Sequence, residues 1–359
     1  MTKINIPISR LDTKDEDFQV RLDELLNREM LITDELTSAV RKILDEVKHR
    51  KDKAVIKYTN EFDGYGVSSV DELFVPEKKL LESLERIPAK QRKALEYAAD
   101  RIRNYHENQK QSSWQYEEED GSIYGQKISA IEKVGIYIPG GKANYPSSVL
   151  MLAIPAKVAG VKQIVATVPT RYGKAGDLIF AAAALAGVNC LFTVGGAQAI
   201  GALAYGTESV PKVDKITGPG NIYVTVAKKM VFGEVGIDMV AGPSELTIIC
   251  DGSTDPDWIA MDLFSQAEHD EQAQSILIST DNGYLDAVQQ SIDKLLPNME
   301  RVKIIETSLK NRGIFICARD LDDAARVSNA IAPEHLEISI ENSEEILGAI
   351  DNAGAIFVG

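Results

Sequence analysis

Two short segments of the chain, residues 265–270 and 332–337, each contain one of its four histidines among carboxylates and amides. In the first, Gln266 and His269 are three residues apart inside a run with apolar periodicity. A helix there would place both side chains on one face. Such a face could present two ligands to a single metal ion.

In the second segment, Glu334 and His335 follow Pro333. Proline blocks helix continuation, so we expect these two residues in a turn between a helix, Asp320 to Ile331, and a strand, Leu336 to Ile340. Turns at strand ends are common positions for catalytic residues. The sequence therefore predicts a carboxylate and an imidazole side by side at such a turn.

Both segments also have a simpler interpretation. A Gln/His pair at helical spacing is more often a solvated face or a hydrogen-bonded core histidine, and Gln is an uncommon ligand of transition metals. A Glu-His dipeptide beside a proline is a weaker signal still. The remainder of the chain must decide between these interpretations.

Composition favours a small-molecule enzyme. The 359 residues are enough for two domains of ordinary size, and 39 basic against 54 acidic residues give a net charge of −15. This charge argues against nucleic acid or an anionic membrane surface as a partner. No stretch approaches the roughly 20 apolar residues of a membrane span, and the N-terminus lacks a signal-peptide core, so we expect a cytoplasmic protein.

The three cysteines, Cys190, Cys250 and Cys317, are far apart, and each lies in or beside an apolar run typical of a strand. This spacing suggests neither a disulfide framework nor a thiolate zinc cluster. We expect all three to be buried core thiols.

The order of elements predicts an α/β fold. Up to about residue 115 the pattern is helical, with Thr33 as an N-cap and a long helix from Ala89 to about Gln111. From Val134 onward, strand-like runs alternate with helical patterns, which is typical of largely parallel sheets. The predicted strands are Val134 to Ile138, Gln163 to Val168, Leu191 to Val194, Leu246 to Cys250, Ser275 to Ser279, Gly313 to Cys317 and Ala355 to Val358.

Four glycine clusters accompany the predicted strands, and each carries one polar side chain: Tyr137, Gln198, Asn221 or Ser244. Ligands of open α/β sheets bind at carboxyl ends of strands, where glycine lets backbone amides approach a ligand. Any single cluster could equally be a tight connection with nothing bound. None follows the G-x-G-x-x-G pattern with an acidic residue about 20 positions later, so these loops alone do not establish a nucleotide.

Six motifs in order closely resemble those of histidinol dehydrogenase. They are Gly135-Ile136-Tyr137-Ile138-Pro139-Gly140-Gly141, Gly195-Gly196-Ala197-Gln198-Ala199-Ile200, Gly218-Pro219-Gly220-Asn221, Ala241-Gly242-Pro243-Ser244-Glu245, Ser265-Gln266-Ala267-Glu268-His269 and Pro333-Glu334-His335-Leu336. The resemblance implies oxidation of L-histidinol through its aldehyde to L-histidine, the last two steps of histidine biosynthesis, with two NAD+ and a zinc ion. It also implies a homodimer.

The resemblance further implies a role for each candidate residue. The proposed groups are NAD contacts at Tyr137, Gln198 and Asn221; substrate contacts at Ser244, Gln266, His269 and His335; zinc ligands at Gln266 and His269; and an acid/base pair at Glu334 and His335. The two half-reactions each need a proton removed near the reacting carbon, which suits a paired imidazole and carboxylate.

The resemblance implies two incomplete Rossmann-like domains with mostly parallel sheets, plus N-terminal helices. We expect residues 1–30 to form an arm, residues 31–136 and 242–359 a first domain, and residues 137–241 a second, inserted domain. The site residues come from both domains, so we expect them to meet in a shared cleft.

The family's chain continues for several dozen residues beyond the match to residues 354–359, and that tail supplies an Asp and a His to zinc, a substrate-binding Glu and an arm to the dimer partner. We therefore expect residues 1–359 to fold but to bind zinc weakly. Two other functions stay open. One is a non-catalytic small-molecule or nucleotide-binding remnant without the complete zinc site. The other is a metal-dependent hydrolase, which would leave the Tyr137, Gln198 and Asn221 loops without a role.

Overall fold

The protein is described by a computed structural model, which covers residues 6–26, 32–140, 145–170, 176–240, 242 and 244–359. The chain divides into two compact units, which we call unit 1 (Met1–Met30 with Gly242–Gly359) and unit 2 (Leu31–Ala241). Both are α/β units built on mostly parallel sheets, so the predicted fold class is confirmed. No helix of the described residues is long and apolar enough to cross a membrane.

The strands of the described residues follow the chain in this order: β1 Ser9–Asp12, β2 Phe74–Val75, β3 Trp114–Glu117, β4 Ile123–Gln126, β5 Lys133–Tyr137, β6 Gln163–Thr167, β7 Cys190–Phe192, β8 Lys215–Thr217, β9 Gly236–Ile237, β10 Glu245–Cys250, β11 Gln274–Ser279, β12 Gly313–Cys317, β13 His335–Ser339 and β14 Ala355–Val358. All seven predicted strands are present to within two residues at each end.

The helices of the described residues are α1 Phe18–Leu26, α2 Asp34–Arg50, α3 Asp52–Asp63, α4 Glu77–Arg86, α5 Ala89–Glu107, α6 Pro146–Val158, α7 Asp177–Leu185, α8 Gly196–Tyr205, α9 Ile222–Val231, α10 Pro256–Ala267, α11 Asn282–Leu295, α12 Val302–Arg312, α13 Leu321–Ile331 and α14 Glu344–Leu347. Thr33 caps α2 as predicted, because its side chain accepts a hydrogen bond from the Leu36 N–H.

Unit 1 is a six-stranded sheet in the order β1-β12-β11-β10-β13-β14, with every described pair parallel. Alternate residues of its strands point to opposite faces. Leu246 and Ile248 of β10 pack with helices α10, α11 and α12, whereas Leu336 and Ile338 of β13 pack with α1 and α13 on the other face. Each fully buried Leu or Ile side chain contributes roughly 1.5–3 kcal/mol to folding.

Unit 2 is a second six-stranded sheet in the order β2-β7-β6-β5-β8-β9, in which only the short edge strand β2 is antiparallel among the described pairs. Helices α2, α3, α8 and α9 cover one face, and α4 to α7 cover the other. A separate hairpin of β3 and β4 belongs to the same unit.

Residues 31–136 lie in unit 2, and not with residues 242–359 as the sequence suggested. The physical reason is the apolar face of α2. Its residues Val40 and Val47 pack in one cluster with Ile200 and Leu203 of α8. Helical periodicity shows that such a face exists, but it does not say which sheet the helix covers.

The cysteines were predicted to be fully buried. Cys250 and Cys317 are, whereas Cys190 is only half-buried at the start of β7. Burial raises the pKa of the Cys190 thiol to about 11. None of these thiols is paired in a disulfide, as expected.

Candidate active site

The predicted acid/base pair lies where α13 passes into β13. Helix α13 ends at Ile331, Ala332 adopts the left-handed conformation with φ of 51°, and His335 is the first residue of β13. The sequence placed His335 in the turn before the strand. It belongs to the strand instead, because it pairs with Leu246 of β10. The sheet therefore holds the backbone of His335, while Glu334 stays in the turn.

The backbone of one residue, Glu245, anchors both side chains of the pair. Nδ1 of His335 lies 3.0 Å from the carbonyl oxygen of Glu245. A carbonyl only accepts, so Nδ1 carries the ring proton and Nε2 keeps its lone pair. Glu334 Oε2 accepts from the Glu245 N–H at 3.3 Å and lies 4.0 Å from His335 Nδ1. The backbone of Glu245 thus fixes the imidazole and the carboxylate side by side.

Both side chains of this pair remain open to a ligand within unit 1. The side chain of His335 is 36% exposed and that of Glu334 is 43% exposed. The ring of His335 lies 6.0 Å from the ring of Phe357 in β14, measured between centroids. The imidazole can therefore exchange a proton with a substrate without local unfolding.

Ala332 is a strained position beside this pair. The left-handed conformation destabilises an L-residue by roughly 1–2 kcal/mol. Glycine avoids this strain, but it increases the entropy of the unfolded chain, which lowers stability by about 0.4–1 kcal/mol. We expect Ala332→Gly to leave the free energy of unfolding unchanged or raise it by up to about 1 kcal/mol, and Ala332→Val to lower it by about 1 kcal/mol or more. Urea titration of both variants checks this. A large loss of stability in Ala332→Gly would contradict the left-handed assignment.

The candidate metal ligands lie at the end of α10. Gln266 is 7% exposed, and its Nε2 has no hydrogen-bond partner among the described residues. His269 was predicted on the same helix face, but α10 ends at Ala267 and His269 lies in the turn that follows. The chain must turn there to enter β11. Nδ1 of His269 donates to the Ser265 carbonyl at 2.8 Å, which leaves Nε2 available as a ligand.

These residues gather at the amino ends of the strands of unit 1. Ser244 precedes β10, and its carbonyl accepts from the Gln274 N–H at the start of β11 at 3.0 Å. Near the end of α10, the Leu263 carbonyl accepts from the Ser275 hydroxyl at 3.2 Å. Ser244 therefore lies at an amino strand end and not at a carboxyl end as expected, because it directly precedes β10.

In unit 2, by contrast, the predicted cofactor residues lie at carboxyl ends of strands, as expected. Tyr137 is the last residue of β5 and is 3% exposed. Its hydroxyl oxygen accepts from the Gly196 N–H at 3.1 Å, and burial raises its pKa to about 12. Gln198 follows in the first turn of α8 and is 1% exposed; its Oε1 has no hydrogen-bond partner among the described residues.

Asn221 lies at a neighbouring position of the same sheet edge. It caps α9, with its side chain accepting from the Val224 N–H at 3.2 Å, and it is exposed. The turn that precedes it contacts β5, because a Cβ at Gly218 would lie 2.1 Å from the Tyr137 carbonyl oxygen. Strand order and this contact bring Tyr137 and the Asn221 turn together.

Two ionisable residues, one near His335 and one near Tyr137, were not predicted from the sequence. Glu337 stands two residues after His335 on the same face of β13, and burial together with the charge of Asp262 raises its pKa to about 7. Alternation along the predicted strand could have identified Glu337. Near Tyr137, the carboxyl of Asp63 raises the pKa of the tyrosine hydroxyl through its charge.

Asp63 provides a test of burial in unit 2. Its Oδ2 is buried with no hydrogen-bond partner among the described residues, and burial raises its pKa from 3.8 to about 6. A raised folded-state pKa means that the protein binds this proton more tightly than the unfolded chain does. The associated stability is present below pH 3.8 and is lost as pH rises to 6.

We expect Asp63→Asn to raise the free energy of unfolding by about 1–3 kcal/mol near pH 8 and to leave it unchanged at about pH 3.5. Urea titrations across this range check the prediction, with the exposed Asp100→Asn of α5 as the control. A gain that is equal at every pH would show that ionisation of Asp63 is not the cause.

The histidinol dehydrogenase family model matches residues 26–359 of the chain. The chain belongs to the histidinol dehydrogenase family. Among curated members, it is 56% identical to histidinol dehydrogenase of Pseudomonas savastanoi pv. phaseolicola over 352 residues, which cover 98% of this chain and 79% of that one. It is also 56% identical to histidinol dehydrogenase of Dechloromonas aromatica, covering 99% of this chain and 82% of that one.

A solved histidinol dehydrogenase from Elizabethkingia anophelis has the same fold. It superposes with a TM-score of 0.92 at 34% sequence identity, covering 99% of this chain and 81% of that one. Membership of this family favours the dehydrogenase over the non-catalytic remnant and the hydrolase. The histidinol dehydrogenase motifs supply the polar loops of unit 2 and the Glu334–His335 pair together, which a hydrolase would not require.

Proposed function

We propose that the protein oxidises L-histidinol through L-histidinaldehyde to L-histidine with two NAD+, and that it acts as a zinc-dependent homodimer in the cytoplasm. The main observation in favour of this reaction is that the backbone N–H and C=O of Glu245 bind the side chains of Glu334 and His335, respectively. It gives a base with a fixed tautomer beside a carboxylate in a chain of the histidinol dehydrogenase family.

In the first half-reaction, Nε2 of His335 takes the hydroxyl proton of histidinol as the carbinol carbon gives a hydride to NAD+. The Glu245 carbonyl accepts from Nδ1 at 3.0 Å and stabilises the imidazolium that forms. The products of this step are the aldehyde and NADH. The proton leaves His335 to solvent, because its ring is partly exposed.

In the second half-reaction, the carboxylate of Glu334 removes a proton from the water that attacks the aldehyde carbon. The hydrate anion that forms transfers a hydride to the second NAD+, and the resulting carboxylic acid releases its proton to solvent, as Glu334 does, giving the carboxylate of histidine. Glu334 suits this role because the Glu245 N–H holds only Oε2, and the side chain is 43% exposed.

Gln266 and His269 are the proposed zinc ligands, and their arrangement fits that role. His269 donates through Nδ1 to the Ser265 carbonyl and so presents Nε2, as metal-bound histidines commonly do. Gln266 would coordinate through its side-chain oxygen Oε1, since the amide nitrogen Nε2 is a hydrogen-bond donor, and this Nε2 is buried with no partner among the described residues. Those residues contain no group of three or more His, Cys, Asp or Glu side chains that could hold a metal.

Zinc needs about four ligands, so donors beyond Gln266 and His269, including the nitrogens of the substrate, complete the proposed site. When bound, the ion would orient the substrate by coordinating its amino and imidazole nitrogens. Ser244 is the remaining proposed substrate contact. Tyr137, Gln198 and Asn221 are the proposed contacts of NAD.

The proposal is tested by incubating purified protein with L-histidinol, NAD+ and zinc at a concentration that saturates a weak site, and following NADH absorbance. We expect two NADH for each histidinol consumed and L-histidine as the product. Omitting histidinol or adding a zinc chelator gives the control rates. Absence of histidinol-dependent NADH in zinc-loaded protein that binds NAD+ would overturn the assigned reaction.

A further inference from the structure

A buried ammonium group lies beneath the turn that carries Asn221. Lys228 of α9 is 2% exposed and is surrounded on its helix by buried apolar residues such as Val224 and Val231. Its Nζ donates to the Gly218 carbonyl oxygen at 2.9 Å and forms an ion pair with Asp238. Burying an ammonium ion is costly unless it is paired and hydrogen-bonded, so this position has a specific structural demand.

Asp238 completes the arrangement from the other side. Its Oδ2 accepts from the Gly218 N–H at 2.7 Å, and its Oδ1 accepts from the Met239 N–H at 2.7 Å. Asp238 itself is fixed to β8, because its N–H donates to the Ile216 carbonyl at 3.1 Å. The two members of the ion pair therefore bind both polar groups of the Gly218 residue, Lys228 its carbonyl and Asp238 its N–H.

The turn held in this way has little freedom of its own. Gly218 has φ of +118°, and a Cβ there would lie 2.1 Å from the Tyr137 carbonyl oxygen. Three residues later, Asn221 caps α9 through the Val224 N–H. Lys228 belongs to the same helix, so α9, the turn and the end of β5 are connected through one ion pair, in which Lys228 is buried and Asp238 is partly exposed.

We propose that Lys228 and Asp238 are positioning residues for NAD. Their ion pair fixes the backbone of Gly218, and this holds Asn221 beside Tyr137. The proposal rests on the assignment of Tyr137 and Asn221 to NAD. Lys228 does not itself contact the cofactor, because its side chain is only 3% exposed. Its loss should therefore weaken NAD binding while leaving the Glu334–His335 pair in unit 1 unaltered.

A role in stability alone predicts a different pattern, and a paired substitution separates the two. Lys228→Met leaves Asp238 without its cation, so this single variant should lose both stability and NAD affinity. Lys228→Met with Asp238→Asn removes both charges, so no unpaired charge remains and most of the lost stability should return. The double variant nevertheless leaves the Gly218 carbonyl without its donor.

The experiment compares the wild-type protein with both variants. It measures the midpoint of thermal unfolding, the NAD+ dissociation constant by calorimetry, and kcat and KM. Lys229→Met, at the exposed neighbouring position, is the matched control. In the double variant we expect most of the stability that Lys228→Met loses to return, a tenfold or greater rise in the NAD+ dissociation constant and KM, and little change in the histidinol KM or in kcat at saturating NAD+.

A folded double variant that binds NAD+ like wild type overturns the positioning role, as does an equal loss in Lys229→Met. Recovery of NAD+ affinity together with stability in the double variant shows that the ion pair serves stability alone, which also overturns it. Failure of the wild-type protein to bind NAD+ is a separate result, because it contradicts the proposed function itself.

Discussion

Replacing His335 with Asn should slow oxidation of L-histidinol by roughly 10²- to 10⁴-fold, the usual contribution of a general base. Oxidation of supplied L-histidinaldehyde should fall far less. The reason is that Asn can still donate to the Glu245 carbonyl, which His335 Nδ1 contacts at 3.0 Å, but has no counterpart of the basic Nε2. The variant therefore removes the proton acceptor and keeps the anchor.

Glu334→Gln should show the reverse pattern, with the larger loss in aldehyde oxidation. Gln keeps an oxygen that can accept from the Glu245 N–H, which Glu334 contacts at 3.3 Å, but it cannot remove a proton from water. Steady-state rates of NADH formation from each substrate measure both losses. Glu344→Gln, an exposed carboxylate of α14, is the control for a change of charge in unit 1.

Equal losses in the two half-reactions for both variants would contradict this division of labour. Equal losses in the Glu344→Gln control would point instead to a general effect on folding. Circular dichroism of each variant establishes that the fold is retained before the rates are compared.

Substituting Gly218 by Ala should have the largest effect on stability and cofactor binding. The added Cβ would lie 2.1 Å from the Tyr137 carbonyl oxygen, which is backbone and cannot rotate away. The positive φ of Gly218 destabilises an alanine there by roughly 1–2 kcal/mol, and overpacking typically destabilises the fold by another 1–3 kcal/mol. We expect a loss of about 2–5 kcal/mol in the free energy of unfolding, with NAD+ binding abolished in the folded fraction.

Gly233→Ala separates the effect of backbone strain from the effect of a steric clash with Tyr137. Gly233 also has positive φ, at +98°, but its Cβ would meet no atom within 4 Å. It should lose only about 1–2 kcal/mol and keep NAD+ affinity. Urea unfolding and calorimetric titration with NAD+ compare the two variants, and similar losses in both would show that the contact with Tyr137 is unimportant.

Much of the fold could be predicted because its strands are short, apolar and bounded by glycine or polar turns. Gly313–Cys317 and Ala355–Val358 were predicted to the residue. The short strands Lys215–Thr217 and Gly236–Ile237 were not, because two or three residues carry too little periodicity to distinguish them from a loop.

The candidate site shows the same division between local and long-range information. Residue types and spacing identified Glu334 and His335 as a pair, because Pro333 follows a helical pattern and blocks its continuation. Their anchor was invisible, since the hydrogen bond between His335 and Glu245 joins residues 90 positions apart. Lys228 was missed for a similar reason: in the sequence it is one of two adjacent lysines, and only packing buries one of them.

The sequence by itself determined the α/β class, the order of most strands and helices, and the polar residues that the glycine loops carry, because these depend on periodicity and on the conformational limits of glycine and proline. Tertiary structure alone decided that residues 31–136 join unit 2 and that Glu245 and Lys228 hold the candidate residues in place. Those outcomes depend on contacts between apolar faces and between backbone groups that lie far apart in the sequence.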